Sequence, residues 1–142
     1  MHATDITVRE AGAQEHHALM LLAAEAVSPE ARFAAGHTDR LLGADRVFVA
    51  ESGHHLAGYV AIRVEPEVVT VDQLVVAVTD EGRGVGNRLL DWVEGYAISV
   101  AVGAVAIARI ESDNRRAEQF YTRRGYSRGS AGRLVRELAR VG

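Results

Sequence analysis

Cysteine and lysine are both missing from the 142 residues. Without cysteine there is no disulfide, thiolate nucleophile, iron–sulfur cluster or cysteine-ligated zinc. Without lysine there is neither Schiff-base chemistry nor a P-loop lysine, and all 16 basic residues are arginine. Long apolar runs are missing too. The longest uncharged stretch, Gly95–Ala108, falls short of the roughly 20 residues that a spanning helix needs. The opening residues, MHATDITVREAG, have no basic start and no apolar run, so a signal peptide is not expected and a cytoplasmic protein is. No repeat, low-complexity tract or linker divides the chain. A single domain over residues 1–142 is expected, long enough to bury one core unaided.

What is present is unevenly placed. The net charge is −3, yet residues 1–80 carry 5 Arg against 12 Asp/Glu, and residues 81–142 carry 11 Arg against 7. The first part suits cations and the second suits anions. A net negative chain also makes a poor nucleic-acid binder, which argues against nucleic-acid partners, charged tRNA included.

Pattern and punctuation give an order of elements. Asp5–Arg9 alternates as a strand, and Ala13–Val27 carries Leu19, Leu22, Ala23 and Ala26 on one helical face. Ser28-Pro29-Glu30 resembles a helix start, and a second helix is expected to run to Leu42 and stop at Gly43. Three strands follow, Arg46–Glu51, Leu56–Val64 and Glu67–Val78, with breaks too short for anything but antiparallel neighbours. Then come a glycine-rich loop, a helix over Gly84–Val100 with Val85, Leu89, Trp92/Val93 and Tyr96 on its apolar face, and a buried strand Ala104–Ile110. A helix over Asn114–Arg124 and a hairpin of Tyr126–Ser130 with Arg133–Ala139, turning at Ala131-Gly132, close the chain. The order β-α-α-β-β-β-α-β-α-β-β implies an α/β (α+β) fold, a single mixed, mostly antiparallel sheet flanked by helices.

Three apparent motifs fail on context. Gly125-Tyr126-Ser127-Arg128-Gly129 spells a nucleophile elbow, but a helix precedes it, a strand follows, and no histidine lies downstream. Gly82-Arg83-Gly84-Val85-Gly86-Asn87 lacks the last glycine of a dinucleotide fingerprint and follows the third strand of a meander. In His16-His17 and His54-His55, adjacent side chains point apart, so no metal site is expected from them.

Two segments retain chemical meaning. In the first, the strand Leu74–Val78 runs into Glu81-Gly82-Arg83-Gly84-Val85-Gly86-Asn87-Arg88. Bare amides at Gly84 and Gly86 on a helix start form an anion cradle, with Arg83 and Arg88 adding positive charge. The second is Asn114-Arg115-Arg116-Ala117-Glu118-Gln119-Phe120-Tyr121, ending at Gly125-Tyr126. Together they resemble, in order, the two signatures of the Gcn5-related N-acetyltransferase (GNAT) family, Q/R-x-x-G-x-G/A after an L-x-V strand and N-x-x-A-x-x-F-Y-x-x-x-G-F/Y. Leu74, Val76, Gly84, Gly86, Asn114, Ala117, Phe120, Tyr121, Gly125 and Tyr126 fit. Glu81 departs from the pattern, standing where the family has Gln or Arg; beside phosphates it must point away or pair with an arginine such as Arg83.

The resemblance implies an acetyl-CoA-dependent N-acetyltransferase acting on a primary amine of a small molecule or peptide, with no metal. It places acetyl-CoA between the third meander strand and Ala104–Ile110. Leu74, Val76, Val78, Arg83, Gly84, Val85, Gly86, Asn87, Arg88, Asn114 and Tyr121 would then be cofactor contacts. Backbone groups around Val76 and Val78 would pair with the pantetheine arm, and the amide near Val76 would meet the thioester oxygen. Asn114 would contact the cofactor while also capping its helix. Tyr121 is the implied general acid for the departing thiolate. In the branch that acetylates ribosomal proteins a glutamate five residues before the asparagine is the base. That position here is Arg109, so Glu111 is the candidate, with Asp72 and Glu51 as rivals expected to be solvated strand-end acids. With neither cysteine nor lysine available to carry an acetyl group, direct transfer is the simpler route. The acidic first part would then face a cationic acceptor and the basic second part the CoA phosphates. A homodimer is compatible with the family, and a CoA-sensing module without catalysis is the alternative.

Overall fold

The computed structural model describes residues 6–25, 44–108, 114–129 and 133–138, together with the backbone of 32–34. Strands β1 (Ile6–Glu10), β3 (Arg46–Ser52), β4 (His55–Val64) and β5 (Val69–Val76) form the antiparallel first part of one sheet. After α2 (Val85–Ser99) the chain enters β6 (Ala104–Ile107), parallel to β5. Helix α3 (Arg115–Arg123) leads to β7 (Ser127–Arg128) and β8 (Leu134–Glu137), and the sheet order is β1-β3-β4-β5-β6-β8-β7. The mixed sheet with one parallel step is the architecture expected from the meander and crossover.

Alternation along the strands builds two cores. Phe48, Ala50, Val60, Ile62, Leu74 and Val76 face α2 and α3, meeting Val85, Leu89, Val93, Ala117 and Tyr121. Val47, Val49, Tyr59, Ala61 and Val75 face the other way, toward Leu19 and Ala23 of α1 (His16–Glu25). A ten-residue helix is marginal alone, so these contacts hold α1 in place. On α2 it is Val93 that is buried, whereas Trp92 is 44% exposed and tilts onto Phe48. Gly58 sets the approach of α2 to the sheet. A Cβ there would lie 2.6 Å from the Val75 carbonyl oxygen and 3.0 Å from Val85 Cγ1.

Two departures from expectation bear on function. The second helix was expected to cover Arg32–Ala34, but these residues form a short strand, β2, antiparallel to β5. An unpaired sheet edge overrides weak local helix propensity. The remainder of that expected helix, its Ser28-Pro29-Glu30 start and its Gly43 stop lie outside the described residues. The third meander strand also ends at Val76 rather than Val78, because Val78–Asp80 turns into a 3₁₀ segment.

At the other end of the sheet Arg9 clamps Glu15, donating from both terminal nitrogens at 2.7 Å, and the Gly12 N–H adds a bond of 2.8 Å. The Arg9 hydrogen bonds, then the Gly12 bond, lower the Glu15 carboxyl from 4.5 to about 2. A lowered folded value contributes stability that is present above the unfolded value and disappears as pH falls through the folded one. Glu15→Gln is therefore expected to flatten the acid limb of the melting-temperature profile between pH 4.5 and about 2. An unaltered limb in that variant would assign the acid loss to another group.

Candidate functional site

The site begins where β5 ends. After Val76 the chain makes the Val78–Asp80 turn, passes Gly82 (φ 79°) and reaches Gly84 (φ 81°), the residue before α2. Both glycines adopt the left-handed backbone that strains other residues, and a Cβ on Gly84 would meet nothing within 4 Å. No side chain among the described residues caps α2, so the first amides of the helix keep free donor capacity beside the open space at Gly84.

Asp80 anchors this loop. Its carboxylate is 1% exposed and accepts from Arg83 Nη1 at 2.5 Å, Thr79 Oγ1 at 3.0 Å and, with the donor tautomer, His55 Nε2 at 3.0 Å. A buried carboxylate is tolerated only when paired in this way. Arg83, expected to face a ligand, is thus turned onto Asp80. Asp80→Ala should release both Arg83 and the loop, weakening CoA binding roughly tenfold, about the worth of one net hydrogen bond. Titration with CoA checks this, and Asp80→Asn, which retains acceptor capacity, should recover part of the loss.

A cavity of about 720 Å³ opens beside the loop. Val76, Gly84, Val85, Gly86 and Asn87 form one wall, and Arg116, Gln119, Phe120, Arg123 and Arg124 the other. Of the arginines, Arg124 is committed to Asn87 at 3.0 Å, Asp91 at 2.6 Å and Glu94 at 2.9 Å. Arg116 and Arg123 have no ion pair among the described residues. Arg88, named from sequence as a loop cation, donates instead to the Ile6 carbonyl at 2.8 Å and ties α2 to β1. Sequence reasoning passed over Arg116 and Arg123, although the signal was there: 116, 119, 120 and 123 fall on one helical face. Two acids, Asp80 and Glu81, also line the cavity.

Ala117 and Tyr121 lie on the other face of α3, in the core. Tyr121 is fully buried, edge-on to Phe120 at 5.0 Å and to Tyr126 at 5.5 Å. Its hydroxyl has no hydrogen-bond partner among the described residues. Burial pushes the phenol well above its ordinary value, and the Arg124 charge pulls it back slightly. Asn114 caps α3, its Oδ1 accepting from the Ala117 N–H at 3.0 Å, and does not line the cavity. Leu74 is buried in the core, while Val78 is 53% exposed on the turn.

Glu111 and Arg109 lie outside the described residues. Asp72 differs from expectation. It is buried in mid-strand, and Arg63 Nε donates to both its oxygens at 2.9 and 3.1 Å. The register shift between Ala61 and Ile62 leaves Asp72 unopposed on β4. Asp72 and its neighbour Gln73, which accepts from the Tyr59 hydroxyl at 2.6 Å, consequently reach two residues that share the α1 face. Glu51 pairs with Arg9 and Glu10 with Arg46. Much of the acidic charge of the first part is therefore neutralised within the fold.

Residues 13–126 match the model of the acetyltransferase (GNAT) family. No curated protein matches the chain in sequence. Among solved structures, the chain resembles the ribosomal-protein-S18-alanine N-acetyltransferase from Escherichia coli (TM-score 0.80, 13% identity, 96% of each chain covered). It also resembles Ard1 from Thermoplasma volcanium (TM-score 0.79, 14% identity, 95% of this chain and 99% of that one). A third is a GNAT family acetyltransferase from Elizabethkingia anophelis with acetyl-CoA bound (TM-score 0.73, 18% identity, 94% and 99%). At these identities the structural likeness is one of fold. The family match spans both the glycine loop of α2 and the Asn114–Tyr121 helix, and the chain belongs to the GNAT acetyltransferase family.

Proposed function

We propose that this single domain, residues 1–142, is a cytoplasmic N-acetyltransferase that moves an acetyl group from acetyl-CoA to a primary amine by direct transfer. The observation that carries the reading is the cavity wall, with α2 amides at Gly84–Asn87 that no described side chain caps, opposite Arg116 and Arg123, which have no ion pair among the described residues. Amide donors and guanidinium forks are what a pyrophosphate requires. The fit extends inward, because the Tyr121 hydroxyl is a buried donor with no acceptor among the described residues, as expected of an acid whose acceptor, the departing thiolate, forms only during turnover. No group of three or more His, Asp or Glu suited to a metal occurs among the described residues.

Acetyl-CoA supplies an activated thioester carbonyl and a thiolate leaving group. Gly84, Val85, Gly86 and Asn87 hold phosphate oxygens through backbone N–H groups, with Arg116 and Arg123 adding charge. The β5 backbone at Leu74 and Val76 aligns the pantetheine arm, and the Val76 amide faces the carbonyl oxygen. Tyr121 keeps its proton until it donates to the departing sulfur. Glu111 takes the proton of the incoming ammonium. The acceptor is a small-molecule or peptide amine.

A second reading, a CoA-sensing module, draws on one observation. Asp72 and Glu51, the other candidate bases, are both committed to arginines. Thiol release from acetyl-CoA, assayed with and without a panel of polyamines, aminoglycosides and peptide N-termini, separates the two. Amine-dependent release is expected. Saturable CoA binding with no release for any amine would favour the sensor.

A further inference from the structure

β4 takes one edge of β5 through seven residue pairs, from Val69 to Val76. β6 takes the other edge only at Val69–Val71. A strand has just two edges, so the second is free for another partner beyond Val71. β2 is that partner, with Arg32 opposite Val75 and Ala34 opposite Leu74. β2 also packs against α3, the helix that carries Tyr121. The reading above gives this same stretch of β5 to the pantetheine arm. One backbone edge accommodates one ladder partner, because neighbours stand about 4.8 Å apart and share the same N–H and C=O groups.

Resting on that acetyltransferase reading, we propose that Arg32–Ala34 is a displaceable strap that occupies the β5 edge until acetyl-CoA replaces it. The pairing suits exchange. It covers two residue pairs with a register shift between them, against the seven that bind β4. The fully buried Tyr121 hydroxyl fits a resting state in which the thioester position is covered.

Hydrogen exchange on the full chain tests the exchange of partners. At saturating acetyl-CoA the amides of residues 32–34 should exchange at least tenfold faster while Leu74–Val76 stay protected. Unchanged or slower exchange at 32–34 would overturn the proposal. A lock gives a second test, made clean by the absence of native cysteine. Arg32→Cys with Val75→Cys places thiols on opposed antiparallel residues, whose Cα spacing of about 4.5–5.5 Å suits a disulfide. The oxidised pair should bind acetyl-CoA at least tenfold more weakly than the same protein reduced. Equal affinity in the two states, or failure of the pair to oxidise, would overturn the strap. If neither the wild type nor the reduced pair binds acetyl-CoA, the acetyltransferase reading itself falls, and the strap with it.

Discussion

Tyr121→Phe is expected to lower turnover at least tenfold while CoA affinity and folding stability hold. General acid–base groups contribute roughly 10²–10⁴-fold, so loss of the phenolic proton should be plain in initial rates. The stability arm makes the prediction diagnostic. A buried hydroxyl without a hydrogen bond costs roughly 1–3 kcal/mol, and among the described residues Tyr121 is such a group. Removing the oxygen while keeping the ring preserves the contacts with Phe120 and Tyr126 and should leave the melting temperature equal or higher. Unchanged turnover would return Tyr121 to a purely packing role. The pH profile adds a constraint. Desolvation raises the phenol well above its normal range, so it stays protonated while an amine acceptor loses its proton near pH 10. No alkaline loss of rate from Tyr121 is therefore expected across that interval.

Arg116→Ala combined with Arg123→Ala should weaken CoA binding about a hundredfold or more. Each charge-assisted hydrogen bond contributes roughly 1.5–3 kcal/mol, and neither arginine has an ion pair to lose among the described residues. The double variant should also lose most of the salt dependence of binding, since screening acts on the charges removed. Calorimetric titration with CoA at two salt concentrations checks both effects. Arg88→Ala makes the contrast. Its guanidinium holds the Ile6 carbonyl, so the expected loss is in thermal stability. Full CoA affinity and full salt dependence in the double variant would locate the phosphate contacts elsewhere.

The parts of this molecule legible in sequence are those governed by local pattern. Short breaks forced the β3–β5 meander, and the spacing of Val85, Leu89 and Val93 placed one face of α2 on the sheet. Gly84 marked the loop because only a few residues tolerate its backbone. What escaped depends on partners distant in the chain. Arg32–Ala34 carries no alternation of its own and becomes a strand because β5, some forty residues later, offers an edge. Nothing in the local pattern around Asp80 marks it as buried; its carboxylate is held by Arg83 and by His55 from the β3–β4 hairpin. Asp72 reads as a strand-end acid until a register shift turns it onto Arg63. The −7 and +4 halves showed a similar limit, since composition counts charges before the fold pairs them.

The central claim is transfer from acetyl-CoA to an amine at the Gly84–Arg116–Arg123 cavity. Mass spectrometry of the acceptor, run on the same samples as free-thiol determination, measures both products of that reaction. The account predicts acetylated amine and CoA thiol appearing in equal amounts with the wild type, both at least tenfold slower with Tyr121→Phe. Thiol released without acetylated amine, or no acetylated product from any amine tried, would contradict it.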